Sequence, residues 1–158
     1  MTLLPIVTGE KNPILRRKTR KVPTITKEIK KLLKDMEETT VAQDGLGLAA
    51  PQVGSNHRLC LSRINGRLIA LINPDITFQS DTFDVAEEGC LSLPDLYLQI
   101  PRSSTIVVSY LNERGQAEER RLSGLDARTV QHEVDHLNGR LIVDYVPAAT
   151  SSRTLQPH

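Results

Sequence analysis

Hydrophobic residues recur at helical spacing in some stretches of the chain and alternate with polar residues in others. Ile29, Leu32, Leu33 and Met36 follow the helical period, which predicts an N-terminal helix over residues 25–42. Alternating and β-branched runs predict short strands at 57–63, 67–73, 76–84, 96–100, 104–112 and 117–122. An Asn-Glu-Arg-Gly turn joins two of these strands into a hairpin. The pattern therefore predicts an α+β fold built from antiparallel sheets.

A further helix is predicted over residues 124–138, and projection divides its side chains into three faces. The apolar face comprises Ala127, Val130, Val134 and Leu137. The opposite face comprises Leu125, Thr129, His132 and His136. A narrow third face comprises Arg128, Gln131 and Asp135. Little of the helix surface is left for water, so we expect this helix to be buried between the sheets. Ser123 and Asp126 are predicted to form a capping box at its start.

Residues 132–136 read His-Glu-Val-Asp-His. Residues four apart on a helix differ by about 400° of rotation and about 6 Å of rise, so both imidazoles can bind one metal ion. Glu133 lies one position further round, close enough to exchange protons with a metal-activated water without being a ligand. The alternative is two unrelated histidines on a surface helix. The pentad favours a metal site but does not specify the reaction.

Two histidines are too few ligands for a catalytic metal, so a third ligand must come from elsewhere in the chain. The two cysteines are candidates. Cys60 lies in an apolar, strand-like run and is most simply a small buried side chain. Cys90 follows Gly89, whose backbone can be closely approached. Considered alone, Cys90 is also more simply interpreted as a buried thiol of the core. The histidine pair, however, needs a third metal ligand, and this favours the interpretation of Cys90 as that ligand. Cysteine, two histidines and water would leave one open position, as in hydrolytic metal centres.

Residues 45–52 read Gly-Leu-Gly-Leu-Ala-Ala-Pro-Gln. A nucleotide-binding loop is disfavoured, because no Gly-Lys-Ser/Thr follows and the third glycine of a dinucleotide fingerprint is absent. A glycine-rich backbone beside which an extended peptide can lie, ending in the side-chain amide of Gln52, agrees better with the pattern.

Three motifs together resemble the signature motifs of the peptide deformylase family: residues 45–52, Glu-Gly-Cys-Leu-Ser at 88–92 and Gln-His-Glu-Val-Asp-His-Leu at 131–137. They occur in the family's order and at about its spacing, and the resemblance covers roughly residues 3–147. It implies metal-dependent hydrolysis of the N-formyl group from the formyl-methionine of newly made polypeptides, releasing formate. We therefore expect a catalytic domain over residues 1–147, with sheets wrapped around the central metal-binding helix, and a disordered tail over 148–158.

Carried over motif by motif, the resemblance assigns Cys90, His132 and His136 as metal ligands. Glu133 would act as general base and then acid while metal-activated water attacks the formyl carbon. The side chain of Gln52 and the backbone N–H of Leu91 would donate to the oxyanion. The family typically uses one Fe²⁺ per chain and accepts nickel, zinc or cobalt, because nitrogen and sulphur ligands suit all of these metals.

The resemblance and the helix projection also predict the residues that bind the formylmethionyl peptide. These are Gly45, Leu46, Gly47, Glu88, Gly89, Tyr97, Leu125 and Thr129. Tyr97 stands where many bacterial relatives carry an arginine, so the details of the pocket are expected to differ.

Asp135 projects away from the metal face of the helix, although it lies inside the pentad. A buried carboxylate needs a partner, and the planar guanidinium of Arg102 suits a bidentate pair. We predict that this pair ties the metal helix to the strand after the Cys90 loop. The alternative is two separate solvated charges.

Charge is unevenly distributed, although the net charge is only +1. Residues 1–34 carry ten Lys/Arg and two Asp/Glu, against ten and seventeen in the remainder. The basic segment is interpreted as a solvated surface, with a weak, transient contact with ribosomal RNA as the alternative. No apolar run is long enough to span a membrane, and two cysteines provide no disulfide framework. These features agree with a cytosolic or organelle-matrix enzyme. We expect a monomer in the bacterial or phage-infected cytoplasm, or in an organelle matrix, with no membrane or specific nucleic-acid partner.

Two other functional classes stay open on the residues alone. A zinc peptidase could use the same pentad, but it would not need Cys90 or Gln52. A catalytically inactive, deformylase-like binding protein is the second, and the intact Glu133 and ligand set argue against it.

Overall fold

The computed structural model describes residues 2–146 and 154–155, and within them the chain forms three α-helices and eight β-strands. The helices are α1 (Pro13–Arg16), α2 (Lys27–Ala42) and α3 (Gly124–Leu137), with 3₁₀ turns at Ala50–Val53 and Ile142–Tyr145. The strands are β1 (Gly47–Ala49), β2 (Leu59–Ile64), β3 (Arg67–Gln79), β4 (Phe83–Cys90), β5 (Leu93–Ser103), β6 (Thr105–Leu111), β7 (Ala117–Ser123) and β8 (Thr154–Leu155). The predicted α+β class is confirmed.

The strands form two antiparallel sheets, with orders β1-β2-β3-β6-β7 and β4-β5-β8. Helix α3 packs its apolar face against the larger sheet, in a core that includes Cys60, Leu71, Ile106 and Val108. Its narrow polar face bonds the smaller sheet. The Arg128 guanidinium donates to the carbonyls of Asp84 and Ile100 at 2.7 and 2.8 Å. The helix is therefore held between the two sheets, as predicted from its three faces.

Helix α2 covers the other side of the larger sheet. The side chain of Thr26 accepts the N–H of Ile29 and caps the helix. Leu33 and Met36 are buried in a cluster with Leu59 and residues of the neighbouring strands. The helix predicted over residues 25–42 is confirmed to within two residues at its start.

The first twenty residues run across the molecule and bond segments that are distant in sequence. The N–H of Val7 donates to the backbone carbonyl of Gln52 at 2.7 Å, and that of Gly9 to the carbonyl of Ser92 at 3.0 Å. The N–H of Thr19 donates to the last carbonyl of α3, at Leu137, at 2.9 Å. This N-terminal segment therefore joins both motif loops and the end of the central helix.

Several predicted boundaries are wrong. The strands predicted at 67–73 and 76–84 are largely one strand, β3, which is interrupted by a register shift where Asn73 has a φ of 52°. Strands β1 and β4 were not predicted, because a Gly-rich run and a run of acidic residues do not alternate clearly. The capping box is also wrong: Ser123 makes no capping bond, and Asp126 accepts the N–H of Asn65 instead.

The tail predicted to be disordered lies mostly outside the described residues. Of the 148–158 segment, only Thr154–Leu155 are described, and they pair with Tyr97 and Leu96 of β5. Among the residues that the structure describes, no helix is long and apolar enough to cross a membrane.

Candidate active site

Three side chains from two elements meet between the sheets. Cys90 ends β4, and α3 presents His132 and His136 one turn apart. Their ligand atoms all lie within 4.8 Å of one another, and Cys90 Sγ is 3.3 Å from His136 Nε2. His132 Nδ1 lies 2.9 Å from a Glu88 oxygen, which favours a proton on Nδ1 and leaves Nε2 free to bind a metal. This set of one sulphur and two nitrogen donors fits a metal ion.

The charges around this site favour a thiolate. Burial raises the pKa of the Cys90 thiol, but His136 and His132 together lower it well below its usual value. Burial likewise opposes protonation of His132, and its contacts with Cys90 and Glu88 nevertheless raise its pKa. Thiolates are the form in which cysteine binds metals. The Cys90 sulphur is therefore in the form that can bind a metal ion.

Glu133 points into the same site from α3. Its side chain is buried, and its Oε1 has no hydrogen-bond partner within the described part of the chain. Burial raises the pKa of this carboxyl group. A buried acceptor without a partner is costly, so its presence beside the ligands indicates a group reserved for a molecule that binds here.

Gln52 borders the same cavity as Glu133 and lies in the 3₁₀ turn that ends the glycine-rich motif. Its Oε1 accepts the N–H of Ala49 at 2.9 Å, which fixes which side of the amide faces inward. Its Nε2 then lies 3.2 Å from Ser92 Oγ and 3.7 Å from Cys90 Sγ. The amide therefore offers N–H donors beside the ligand group.

A cavity of about 600 Å³ opens onto these groups. All eight residues predicted to bind the peptide border it: Gly45, Leu46, Gly47, Glu88, Gly89, Tyr97, Leu125 and Thr129. One wall follows the residues before and within β1 and the other follows the end of β4, and each of these is the terminal strand of its sheet. Free strand edges accept an extended chain by backbone hydrogen bonding.

Glycine is required where β1 passes the carboxylate of Glu133. A Cβ on Gly47 would stand 2.6 Å from Glu133 Oε2 and 2.7 Å from the backbone carbonyl of Leu61. The strand can therefore approach Glu133 this closely only without a side chain at that position. The glycine at position 47 thus allows β1 to pack against the carboxylate of Glu133. The sequence alone did not reveal this role of the glycine-rich motif.

Glu88 borders the cavity, as predicted, but its carboxylate is occupied by protein groups. It accepts from Arg102 at 2.8 Å through both oxygens and from Arg128 at 2.6 Å, and it contacts His132. Burial opposes ionisation of Glu88, but its bonds to Arg102 and His132 lower its pKa well below its usual value. The Glu88 carboxylate therefore orients the candidate metal ligand His132 and is not available to a molecule in the cavity. Sequence reasoning missed this, although Glu88 and Cys90 share one face of a strand.

The predicted pair of Asp135 and Arg102 is confirmed, but it is not bidentate: Arg102 contacts Asp135 through one nitrogen and makes its two-nitrogen contact with Glu88. Arg102 Nη1 lies 2.6 Å from Asp135 Oδ2, and the hydroxyl of Tyr145 donates to the same oxygen at 2.6 Å. The Arg102 side chain is 3% exposed, so this is a buried network rather than two solvated charges. Arg102 therefore ties β5 to α3 through Asp135 and to β4 through Glu88, which itself contacts His132. The roles of Arg128 and Tyr145 were not predicted.

Comparison with known proteins agrees with this geometry. The family model described as polypeptide deformylase matches residues 3–152. A peptide deformylase from Thermotoga maritima is 44% identical over 138 residues, which cover 87% of this chain and 84% of that protein. The crystal structure of the Thermotoga maritima enzyme superposes with a TM-score of 0.89 at 41% identity, covering 93% of this chain and 99% of the other.

A second solved structure contains a peptide. The Met-Ala-Ser-bound class I type b peptide deformylase from Acinetobacter baumannii has a TM-score of 0.87 and 33% identity, covering 92% of this chain and 99% of the other. The match thus extends over nearly the whole of both chains. On the family model, the sequence identity and the shared fold, this chain belongs to the polypeptide deformylase family of metallohydrolases.

Proposed function

We propose that this chain removes the formyl group from the N-terminal formyl-methionine of newly made polypeptides and releases formate. The observation that carries the proposal is the convergence of Cys90, His132 and His136 with the unpartnered carboxylate of Glu133 and the amide of Gln52 at one end of the cavity. A ligand set, a base and a hydrogen-bond donor are the groups that hydrolysis of a linear amide requires.

Cys90, His132 and His136 would hold the metal. When bound, the metal supplies Lewis acidity that brings the pKa of water towards neutrality. Glu133 accepts a proton from the attacking water and returns it to the departing amine, for which a carboxyl group with a raised pKa is well suited. Its burial keeps bulk water from competing for that proton.

The negative charge that develops on the formyl oxygen requires donors that are already in place. Gln52 Nε2 and the backbone N–H of Leu91 are assigned this role. The support for Gln52 is its anchored amide oxygen, since a donor whose orientation is fixed in advance costs no reorganisation during the reaction. One such donor is typically worth about 3 kcal/mol.

The peptide is proposed to bind as an extended strand between β1 and the end of β4. Gly45, Leu46 and Gly47 line one side, and Gly89 and Tyr97 the other. Leu125 and Thr129 would contact the methionine side chain from α3. Glu88 is proposed to act on this site indirectly, through its contact with His132, because the Glu88 carboxylate is already bonded to protein groups. The Acinetobacter baumannii structure, with Met-Ala-Ser bound, supports a peptide of this kind as the occupant.

One Fe²⁺ per chain is proposed as the native metal, with nickel, zinc or cobalt able to replace it. Mixed sulphur and nitrogen ligands suit all four ions, so the proposal requires measurement. Metal analysis of protein purified without oxygen should give about one iron per chain, an estimate from three ligands around one open position. Recovery of full activity with zinc alone would contradict the assignment to iron.

The domain, the setting and the partners are proposed from the same features. Residues 1–147 form one catalytic domain, in which Val146 still belongs to a buried cluster with Leu141 and Ile142. We propose a monomer acting in the cytoplasm, as suits bacterial relatives. The excess of Lys/Arg over residues 1–34 supports at most a weak, transient contact with the ribosome.

Formate release from formyl-Met-Ala-Ser tests the proposal directly. Protein purified without oxygen and loaded with iron or nickel should release formate, whereas acetyl-Met-Ala-Ser should be inert. Cleavage of unformylated Met-Ala-Ser would indicate a peptidase instead. Binding of the formyl peptide without formate release would indicate an inactive binding protein.

A further inference from the structure

The amide of Gln52 is held from two sides. Its oxygen accepts the N–H of Ala49 at 2.9 Å, and its nitrogen lies 3.2 Å from Ser92 Oγ. An amide nitrogen carries two N–H groups in a fixed planar fork. With the oxygen anchored and one N–H directed at Ser92, the second N–H is directed towards Cys90, whose Sγ is 3.7 Å away.

The hydroxyl of Ser92 does not contact the cavity. Ser92 is completely buried and Gln52 is 2% exposed, so water cannot replace the bond between them. Leaving a buried N–H without an acceptor is unfavourable. Without the hydroxyl, we expect the amide to turn so that both donors compete for the remaining acceptors, and the N–H assigned to the oxyanion would lose its direction.

The backbones on either side of this bond are held independently of it. The N–H of Val7 donates to the Gln52 carbonyl, and the N–H of Gly9 donates to the Ser92 carbonyl. The N-terminal segment therefore bridges the two motif loops through main-chain bonds alone. Removal of the Ser92 hydroxyl should consequently alter the amide without separating the loops.

We propose that Ser92 is a positioning residue for deformylation: its buried hydroxyl binds one N–H of Gln52, so that the other faces the ligand group beside Cys90, where the formyl oxygen would bind. The proposal rests on the proposed function. Ser92 acts only through Gln52, and this distinguishes it from a residue that merely supports the fold.

A double-mutant cycle tests that dependence. Ser92→Ala should lower kcat roughly tenfold with little change in KM, because a misdirected donor weakens stabilisation of the transition state rather than peptide binding. Gln52→Ala should lower kcat by at least about 100-fold. In the Gln52→Ala background, Ser92→Ala should change kcat by less than about twofold. Independent, multiplying effects would overturn the proposal.

A second measurement does not depend on activity. In the metal-free protein labelled with ¹⁵N-glutamine, one side-chain amide proton of Gln52 should shift and exchange faster in Ser92→Ala. Ser62→Ala is the matched control, since Ser62 is equally buried and its hydroxyl has no partner among the described residues. It should leave both the Gln52 signals and kcat unchanged. Unchanged Gln52 signals in Ser92→Ala would overturn the proposal.

A third pair of variants separates the hydroxyl from packing, and it also serves if Ser92→Ala does not fold. Ser92→Thr keeps the hydroxyl, whereas Ser92→Val has nearly the same shape without it. Threonine should retain most of kcat and valine should not; equal kcat values would contradict the role. If the wild-type protein releases no formate, the proposed function fails and the role of Ser92 with it. If the wild type is active and Ser92→Ala is equally active, only the role of Ser92 fails.

Discussion

The two sides of the catalytic cavity are built differently. Behind His132, each carboxylate is shared by several partners: Glu88 by Arg102, Arg128 and His132, and Asp135 by Arg102 and Tyr145. At the mouth, Leu46 is 49% and Leu125 is 59% exposed, and both present apolar surface to solvent. The inner side fixes geometry through directional bonds, while the rim offers adaptable contact area. Changes on the inner side should therefore affect metal binding and kcat, and changes at the rim should affect KM.

The largest effect is expected inside the cavity, at Glu133. Glu133→Gln keeps the size of the side chain but cannot accept a proton, so kcat should fall by at least about 100-fold. The metal should stay bound, because Glu133 is not one of the three ligands. Formate release and metal content, measured on the same sample, test this prediction. Near-normal turnover by the metal-loaded variant would contradict the role of Glu133 as the base.

The two cysteines provide a matched pair for the ligand assignment. Cys90→Ser should weaken metal binding by more than about 100-fold, since loss of a ligand should exceed the effect of losing a supporting contact. Cys60→Ser alters a completely buried core thiol and should leave the metal unaffected. Titration of the metal-free proteins with cobalt, followed by optical absorption, separates them. Similar spectra and affinities for the two variants would show that the motif assignment is wrong.

The buried network of Arg102, Glu88 and Asp135 should give an energetic coupling between substitutions of its members. A double-mutant cycle with Arg102→Met and Asp135→Asn should give a coupling energy of about 1–3 kcal/mol in the free energy of unfolding, as for residues within one buried network. Urea denaturation provides the values. As a control, the i,i+4 pair of Lys31 and Asp35, whose lysine side chain is 68% exposed, should give less than about 0.5 kcal/mol. Equal coupling in both cycles would mean that burial does not distinguish the inner network.

A rim substitution should have the opposite signature. Leu125→Ala should raise KM for formyl-Met-Ala-Ser by about 3- to 10-fold, through lost apolar contact with the methionine, and should leave kcat nearly unchanged. Val41→Ala is the control, because Val41 is similarly exposed at 58% but does not border the cavity. A fall in kcat without a rise in KM would remove the proposed distinction between rim and inner side.

The smallest expected effect concerns alkaline pH. Burial and the bond to Asp135 raise the pKa of Tyr145 to about 12 in the folded protein, from an ordinary value near 10. A raised pKa contributes stability that is present below the unfolded value and is lost as pH rises through the folded one. The free energy of unfolding should therefore fall between about pH 10 and 12, and less steeply in Tyr145→Phe. Parallel curves for the two proteins would contradict the prediction.

The sequence predicted the parts of the site that are local. The spacing within residues 132–136, the three faces of α3 and the run ending in Gln52 each depend on one element, and the structure brings them together. The Asp135 and Arg102 pair was also predictable, because a buried carboxylate requires a partner and Arg102 lies at a suitable strand end.

The rest could not be predicted, because it depends on register between distant segments. Glu88 was expected to bind substrate, but the pairing of β4 with β5 and the packing of α3 give its carboxylate three protein partners. The shift at Asn73 joins two predicted strands into one, since a single residue with positive φ can realign a strand that alternation alone would end. The bond from Gln52 to Ser92 joins loops forty residues apart.

The N-terminal segment has a consequence for the order in which the enzyme becomes competent during its own synthesis. Val7 and Gly9 bond the middle of the chain, and Thr19 bonds the end of α3. His132 and His136 lie in the last third of the sequence and leave the ribosome late, whereas the N-terminal segment leaves before them. The N-terminal segment can therefore form all of these bonds only after the end of α3 has been synthesised. Contacts of such long sequence separation slow folding, and small single domains fold in an all-or-none transition, so an incomplete chain should not acquire partial activity.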